Sequence, residues 1–154
     1  MVSADRGAMA EMFARLSPET IHRRFHAPYP RVPEWALDSF IGIAGQDRGS
    51  LVAVVGAGIV GHAMYVGLGN GREAEVAVVV EDGWQSWGIG KLLLAALATE
   101  ARSRGVEVFI CYTLAENRRA VRLISAVFDE VDTRVAGPQY ELRAPLGSLK
   151  SVDR

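Results

Sequence analysis

The sequence predicts an α/β fold, in which helices and short apolar strands share one core. Three observations support this class. Apolar residues recur at helical spacing in several segments, and short valine-rich runs lie between those segments. In addition, 49% of the residues are apolar and 23% are charged, a balance typical of globular proteins. The length of 154 residues fits one domain, expected over residues 1–145, with a flexible C-terminal tail over residues 146–154.

The first part of the chain is predicted to be helical. Residues 5–16 carry apolar side chains at four-residue spacing. Ser17 followed by Pro18 is typical of a helix start, because serine caps free N–H groups and proline suits the first helical position. This second helix is expected to run to about Phe25. After a proline-rich break, helical spacing resumes over residues 34–44.

The rest of the chain alternates predicted strands and helices. The strongest helical pattern has its apolar stripe on Leu93, Leu94 and Leu97, and Gly105 supplies its stop signal. The predicted strands are residues 51–55, 59–66, 74–80, 106–112, 129–135 and 139–143, and the predicted helices are residues 88–104 and 117–128.

Charge and cysteine content exclude several classes of protein. Seventeen basic and eighteen acidic residues give a net charge of −1, whereas nucleic-acid binding needs a basic excess. A single cysteine, Cys111, excludes an internal disulfide framework and a multi-thiolate metal site. The start of the chain has no apolar signal core, and the uncharged run over residues 51–69 is interrupted by glycines and His62. We therefore expect a cytoplasmic protein with no metal, no nucleic-acid partner and no membrane span.

The first of two glycine motifs is a full GxGxxG, from Gly56 to Gly61. It follows an apolar run, and a second run ends at Glu81, so it is compatible with a site for NAD or FAD with Glu81 on a ribose hydroxyl. That motif requires a helix after its third glycine. Residues 61–72 contain further glycines, each costing about 1 kcal/mol in a helix relative to alanine, so a β-hairpin is the stronger interpretation.

The second glycine motif, QSWGIG over residues 85–90, follows a predicted strand and begins the strongest helix. Small residues at a helix N-terminus leave N–H groups free to bind an anion, and the helix dipole favours phosphate there. Lys91 adds a positive charge in the first turn. A plain glycine-rich helix start remains the alternative.

Three segments in this order resemble the GNAT superfamily of acyl-CoA-dependent N-acetyltransferases: the strand 74–80 (AEVAVVV), the turn 85–90 and the helix start 117–120 (NRRA). The resemblance covers about residues 51–143. It implies a mixed, mainly antiparallel central sheet with helices on both sides and an opening between strands 74–80 and 106–112. The family's first strand has few residues left before the first helix, so we expect it to be short or missing.

The resemblance also implies a cofactor site for acetyl-CoA, or a related acyl-CoA, as co-substrate. The pantetheine arm would pair with the exposed backbone of one strand, and the pyrophosphate would bind the N–H groups of the following turn. An asparagine near the arm matches Asn117. The implied cofactor-binding residues are Val78, Val79, Val80, Gln85, Ser86, Trp87, Gly88, Ile89, Gly90, Lys91 and Asn117.

Glu75 matches the family's catalytic glutamate, which accepts the proton of the amine that attacks the thioester. On a strand, Glu75 shares one face with Ala77, Val79 and Glu81. Neighbouring valines are expected to desolvate its carboxylate in part. Glu81 is the alternative base.

The sequence leaves open which group protonates the leaving thiolate. Many relatives have a tyrosine seven residues after the asparagine that protonates the leaving thiolate, but this chain has Ile124 there. Tyr112, Ser125 and Cys111 are candidates to replace it, and a thiolate can also leave without a strong acid.

The segments 16–20 (LSPET) and 23–25 (RRF) are similar to the front of bacterial protein-lysine acetyltransferases of the superfamily. The implied acceptor is therefore an amine, either a protein lysine or a small molecule. A non-catalytic acyl-CoA-binding or interaction domain is the other alternative, and an oligomer is compatible with the sequence.

Overall fold

The structure, a computed structural model, describes residues 5–26, 33–40 and 47–151. Three helices come first and a six-stranded sheet with two further helices follows. In chain order the elements are α1 (Arg6–Ala14), α2 (Pro18–Phe25), α3 (Glu34–Phe40), β1 (Arg48–Val55), β2 (Gly58–Gly67), β3 (Glu73–Val80), α4 (Ile89–Ser103), β4 (Val108–Leu114), α5 (Arg118–Val127), β5 (Asp132–Ala136) and β6 (Gln139–Pro145). The part of predicted helix 34–44 that follows Phe40 lies outside the described residues.

The sheet is mixed and mainly antiparallel, as predicted. Its strand order is β1-β2-β3-β4-β6-β5, and only the β3–β4 pair is parallel. That pair is short, because its last partners are Glu75 and Ile110. Residues 76–80 of β3 therefore have no strand on that side, and the predicted opening lies between β3 and β4.

Helices cover both faces of the sheet, because alternate residues of each strand point to opposite sides. On one face, α4 and α5 form a core with Val76 and Phe109. On the other face, α1, α2 and α3 pack against Ile59 and Val79. The expectation that helices lie on both sides of the sheet is confirmed.

The two ends of the described chain can be compared with the predicted first strand and the predicted flexible tail. From Asp5 onward, no strand precedes α1. The tail differs from the flexible segment that we expected from residue 146, because Leu146 is buried and the Lys150 N–H donates to the Val127 carbonyl at 2.9 Å. Residues 152–154 lie outside the described residues.

The GxGxxG motif forms a β-hairpin and not a nucleotide-binding turn. Gly56 adopts a positive φ of 61° at the turn, and β2 begins at Gly58, where a dinucleotide site would begin a helix. Gly61 permits close packing of β2 on α4, because a Cβ there would lie 3.0 Å from Leu93. The interpretation of this motif as an NAD or FAD site is wrong. Within the described ranges, no helix is long and apolar enough to cross a membrane.

Candidate active site

A cavity of about 540 Å³ lies where the carboxyl end of β3 meets α2 and the N-terminal ends of α4 and α5. This volume is in the range of small-molecule and cofactor sites. Every residue that the sequence predicts to bind the cofactor lines it except Trp87. The Trp87 side chain is 74% exposed, and its neighbour Trp84 lines the cavity instead.

The turn before α4 presents backbone donors to the cavity. Ser86 and Gly88 have positive φ values of 68° and 83°, which bend the chain sharply into the helix. No side chain caps α4, and the first N–H groups of a helix have no partner within it. The helix dipole gives this end of α4 a partial positive charge. Lys91, which lines the cavity, adds a full positive charge. The turn has the chemistry of a phosphate site.

Cations from three helices surround the same cavity. The set consists of Arg23 and Arg24 on α2, Lys91 on α4, and Arg119 and Arg122 on α5. Their summed charge favours a polyanionic ligand. Sequence reasoning missed this cluster because the total charge of the chain is near zero. The available signal in the sequence was that α2 ends with basic residues and α5 begins with them. These two segments are far apart in the chain.

Gln85 contributes its side chain to the walls of the cavity. Its Nε2 donates to the Val80 carbonyl at 3.0 Å, and its Oε1 accepts a hydrogen bond from Arg119. Gln85 thus joins the end of β3 to the start of α5 and orients one of the cations. Because both polar atoms of the Gln85 side chain form these hydrogen bonds, the side chain holds the walls of the cavity together. The backbone of Gln85 is the part that is left to contact a ligand.

Asn117 holds the start of α5. It is buried, and its Oδ1 accepts a hydrogen bond from the Ala120 N–H at 3.3 Å as the N-cap. Because Asn117 also lines the cavity, its amide group is available to a ligand on one side while its oxygen fixes the helix on the other.

Glu75 lies where β3 and β4 separate, since its partner Ile110 ends their pairing. The side chain is exposed, which differs from the partial desolvation that we expected beside the valines. Among the described residues, no hydrogen bond or ion pair engages its carboxylate. Glu75 is therefore free to accept a proton from a group that enters the opening.

Glu81, the alternative base, is engaged elsewhere. Its two carboxylate oxygens accept hydrogen bonds from Arg15 at 2.8 and 3.2 Å, and the same guanidinium donates to the Ile59 carbonyl at 3.0 Å. The ion pair raises the pKa of Arg15. A carboxylate fixed in a bidentate pair is less suited to proton transfer than the free carboxylate of Glu75.

Asp82 fixes α2 beside the cavity. Its carboxylate accepts hydrogen bonds from the Ser17 N–H at 2.9 Å, the Ser17 hydroxyl at 2.8 Å and the Thr20 hydroxyl at 2.9 Å. Burial alone would raise the pKa of Asp82, but these hydrogen bonds together hold it below its ordinary value. Asp82 thereby determines where the cations of α2 lie.

None of the three candidates to protonate a leaving thiolate is a strong acid. Burial raises the pKa of Cys111 to about 12. Burial and the nearby Glu141, which accepts from the Tyr112 hydroxyl at 3.3 Å, also raise the pKa of Tyr112. Ser125 is exposed on α5, whereas Ile124 points into the core.

His62 has a structural role. His62 is fully buried between Ser50, 2.8 Å from its Nε2, and the ring of Phe40. Burial lowers the pKa of His62 to about 3, so it is neutral. In the part of the chain that the structure describes, no group of three or more histidine, cysteine or acidic residues could hold a metal ion.

Comparison with known proteins decides the family. The model described as Acetyltransferase (GNAT) family matches residues 9–127. This chain is a member of the GNAT acetyltransferase family. The match includes β3, the turn before α4 and the start of α5, which are the elements that form the cavity.

Solved structures agree with this assignment. The GNAT domain of S. lividans PAT is 25% identical, with a TM-score of 0.87 over 94% of this chain and 87% of that one. Two others share the fold. One is yncA from Salmonella typhimurium, solved with its cofactor acetyl-CoA (19% identity, TM-score 0.72, 97% and 93% covered). The other is the paia N-acetyltransferase from Thermoplasma acidophilum, in complex with coenzyme A (12% identity, TM-score 0.68, 94% and 95% covered).

Proposed function

We propose that this protein transfers an acetyl group from acetyl-CoA to a primary amine, with Glu75 as the base. One observation carries the proposal. A single cavity joins the unpaired edge of β3 to an uncapped helix N-terminus and a cluster of cations, and Glu75 lies where β3 and β4 separate. These features match the successive parts of an acyl-CoA: the arm, the pyrophosphate and the reactive thioester.

In this proposal the cofactor lies along β3. The backbone of residues 78–80 pairs with the pantetheine arm in place of a missing strand, and the turn over residues 85–91 binds the pyrophosphate. The cations of α5, Arg119 and Arg122, meet the remaining phosphate charge. Asn117 offers its amide to the arm.

The chemical step needs a neutral amine, because a protonated amine has no lone pair for attack. Glu75 removes the proton, directly or through one water. The nitrogen then forms a bond to the thioester carbon while the carbonyl electrons move to oxygen. The nitrogen, which becomes cationic on attack, loses its extra proton to solvent, and collapse of this intermediate restores the carbonyl and breaks the carbon–sulfur bond. The thiolate takes its proton from solvent, since a thiol ionises near pH 8.5 and its anion is a good leaving group.

A protein lysine is the acceptor that we favour. Glu75 is exposed, so a side chain presented by a large partner can reach it. The resemblance of the front segment, residues 16–25, to protein-lysine acetyltransferases supports the same choice. A small amine that enters the same opening is the alternative.

Two measurements test the proposal. Calorimetry with acetyl-CoA, NAD and FAD is expected to show binding of acetyl-CoA alone. Release of free thiol from acetyl-CoA, measured against a panel of amines and lysine-containing proteins, is expected to show turnover. Binding of acetyl-CoA without turnover of any acceptor would favour a non-catalytic acyl-CoA-binding domain, whereas acyl transfer that Glu75→Gln abolishes would argue against one. Binding of NAD or FAD without acetyl-CoA would refute the proposal.

A further inference from the structure

Arg24 places a positive charge at the level where the reaction is proposed to occur. Its Nη2 lies 3.6 Å from the Met64 sulfur on β2, and Met64 pairs with Ala77 of β3. Side chains of directly paired residues point to the same face of a sheet. The guanidinium therefore lies on the face of the sheet that carries Ala77 and Glu75, and it also lines the cavity.

The Arg24 guanidinium packs against apolar groups, and the Glu75 carboxylate attracts its charge without forming an ion pair. Its centre lies 4.9 Å from the ring centroid of Phe25 and 5.3 Å from that of Phe40. Its Nε is buried with no hydrogen-bond partner, and within the described ranges no carboxylate forms an ion pair with it. Burial lowers the pKa of Arg24 to about 10, so the group remains charged at neutral pH.

A largely buried cation that no ion pair compensates costs free energy, so it is rarely retained for stability alone. In an enzyme, such a charge is useful where negative charge develops only during the reaction. Donors that are fixed in a low-dielectric site stabilise that charge without having to reorganise. The neighbouring cation Arg23 differs, because it pairs with Glu19 at 2.7 Å.

We propose that the Arg24 guanidinium stabilises the oxyanion that forms on the thioester carbonyl during attack by the amine. This inference rests on the proposed function, because it requires an acyl-CoA thioester within reach of this guanidinium. As the nitrogen bonds to the carbonyl carbon, the electron pair of the C=O bond moves to oxygen, and an N–H of Arg24 donates to that oxygen. When the carbon–sulfur bond breaks, the pair returns and the hydrogen bond weakens.

Kinetics of Arg24→Met and Arg24→Lys test this role. Methionine keeps an unbranched apolar stem against the two rings but removes the charge, so kcat is expected to fall by about 10²–10³-fold. The Kd of acetyl-CoA should change far less than kcat, because Arg24 is one of five cations around the cavity and the arm and pyrophosphate are proposed to bind at residues 78–80 and 85–91. Lysine keeps the charge without the planar fork, so its kcat should lie between those of Arg24→Met and the wild type. Arg134→Met, which removes an exposed arginine paired with Asp132 on β5, is the matched control and should behave as the wild type.

Chemical rescue separates catalysis from a packing role. In Arg24→Ala, a low, non-denaturing concentration of guanidinium chloride should restore part of kcat, while tetramethylammonium chloride should not. Rescue remains informative if Arg24→Met folds poorly.

Three outcomes would overturn the inference while leaving the acetyltransferase function intact: near wild-type kcat in Arg24→Met, absence of rescue in folded Arg24→Ala, or a wild-type preference for succinyl-CoA over acetyl-CoA that Arg24→Met abolishes. The last would assign the guanidinium to a carboxylate on the acyl chain. If the wild type transfers no acyl group to any acceptor, the proposed function itself fails.

Discussion

The substitution Glu75→Gln removes the proposed base while keeping the size and shape of the side chain. A positioned base contributes about 10²–10⁴-fold in rate, or about 3–5 kcal/mol of barrier. We expect kcat to fall by that factor at neutral pH. The Kd of acetyl-CoA should change little, because Glu75 does not line the cavity that the cofactor is proposed to fill.

The structure also predicts the effect of Glu75→Gln on stability. Because the carboxylate is exposed and has no ion pair or hydrogen bond among the described residues, the free energy of unfolding should change by no more than about 0.5 kcal/mol. Glu81→Gln is the matched control. It breaks the bidentate pair with Arg15, so it should lower Tm while keeping more of kcat.

The assay is thiol release from acetyl-CoA as a function of pH, with thermal unfolding measured on the same preparations. The wild-type rate should rise with pH as the acceptor amine loses its proton, and Glu75→Gln should be slower than the wild type across that range. If Glu75→Gln retains kcat and Glu81→Gln loses it, the base has been assigned to the wrong carboxylate.

Three further predictions concern positions around the site. Since hydrogen bonds hold the pKa of Asp82 below its ordinary value of 3.8, its stabilising effect is present above that pH and is lost as the pH falls through the lower, folded-state value. Asp82→Asn should therefore lower Tm at pH 7, and its difference from the wild type should shrink in acid; a constant difference would contradict this. Gly90→Ala should raise the free energy of unfolding by about 0.4–1 kcal/mol, because the new Cβ makes only ordinary contact, 3.5 Å from Leu123. In calorimetry it should weaken acetyl-CoA binding by about tenfold, or 1.4 kcal/mol, and unchanged affinity would remove the turn from the cofactor site. Gly49→Ala should destabilise the protein by about 1–3 kcal/mol in denaturant unfolding, because its Cβ would overlap the buried ring of Tyr65; wild-type stability would show that the ring can move.

The sequence predicted the elements well because their signals are local. Ser17 caps α2 by accepting a hydrogen bond from the Thr20 N–H, only three residues away. The apolar stripe of α4, with Leu93, Leu94 and Leu97 buried, follows from helical periodicity. The two glycine motifs were told apart in the same way, because the glycines after Gly61 are unfavourable in a helix.

The burial of individual side chains in the site could not be predicted from such local patterns. Glu75 was expected to be partly desolvated by its valine neighbours. On a strand, however, adjacent side chains point to opposite faces, so the burial of Glu75 depends on what other elements place above it. Arg24 shows the converse. Its sequence neighbours on a short basic helix gave no sign of burial, but its guanidinium packs against the aromatic rings of Phe25 on α2 and Phe40 on α3.

The sequence alone determined the order of helices and strands, the turn that begins α4 and the family resemblance, because each depends on residues that are close together in the chain. The tertiary structure decided which charges meet. Asp82 holds Ser17 across 65 residues, Arg15 pairs with Glu81 across 66, and the cations of the cavity come from three separate helices. Electrostatic and packing interactions depend on distance in space, so a chain of nearly zero net charge can still fold into a strongly basic cavity.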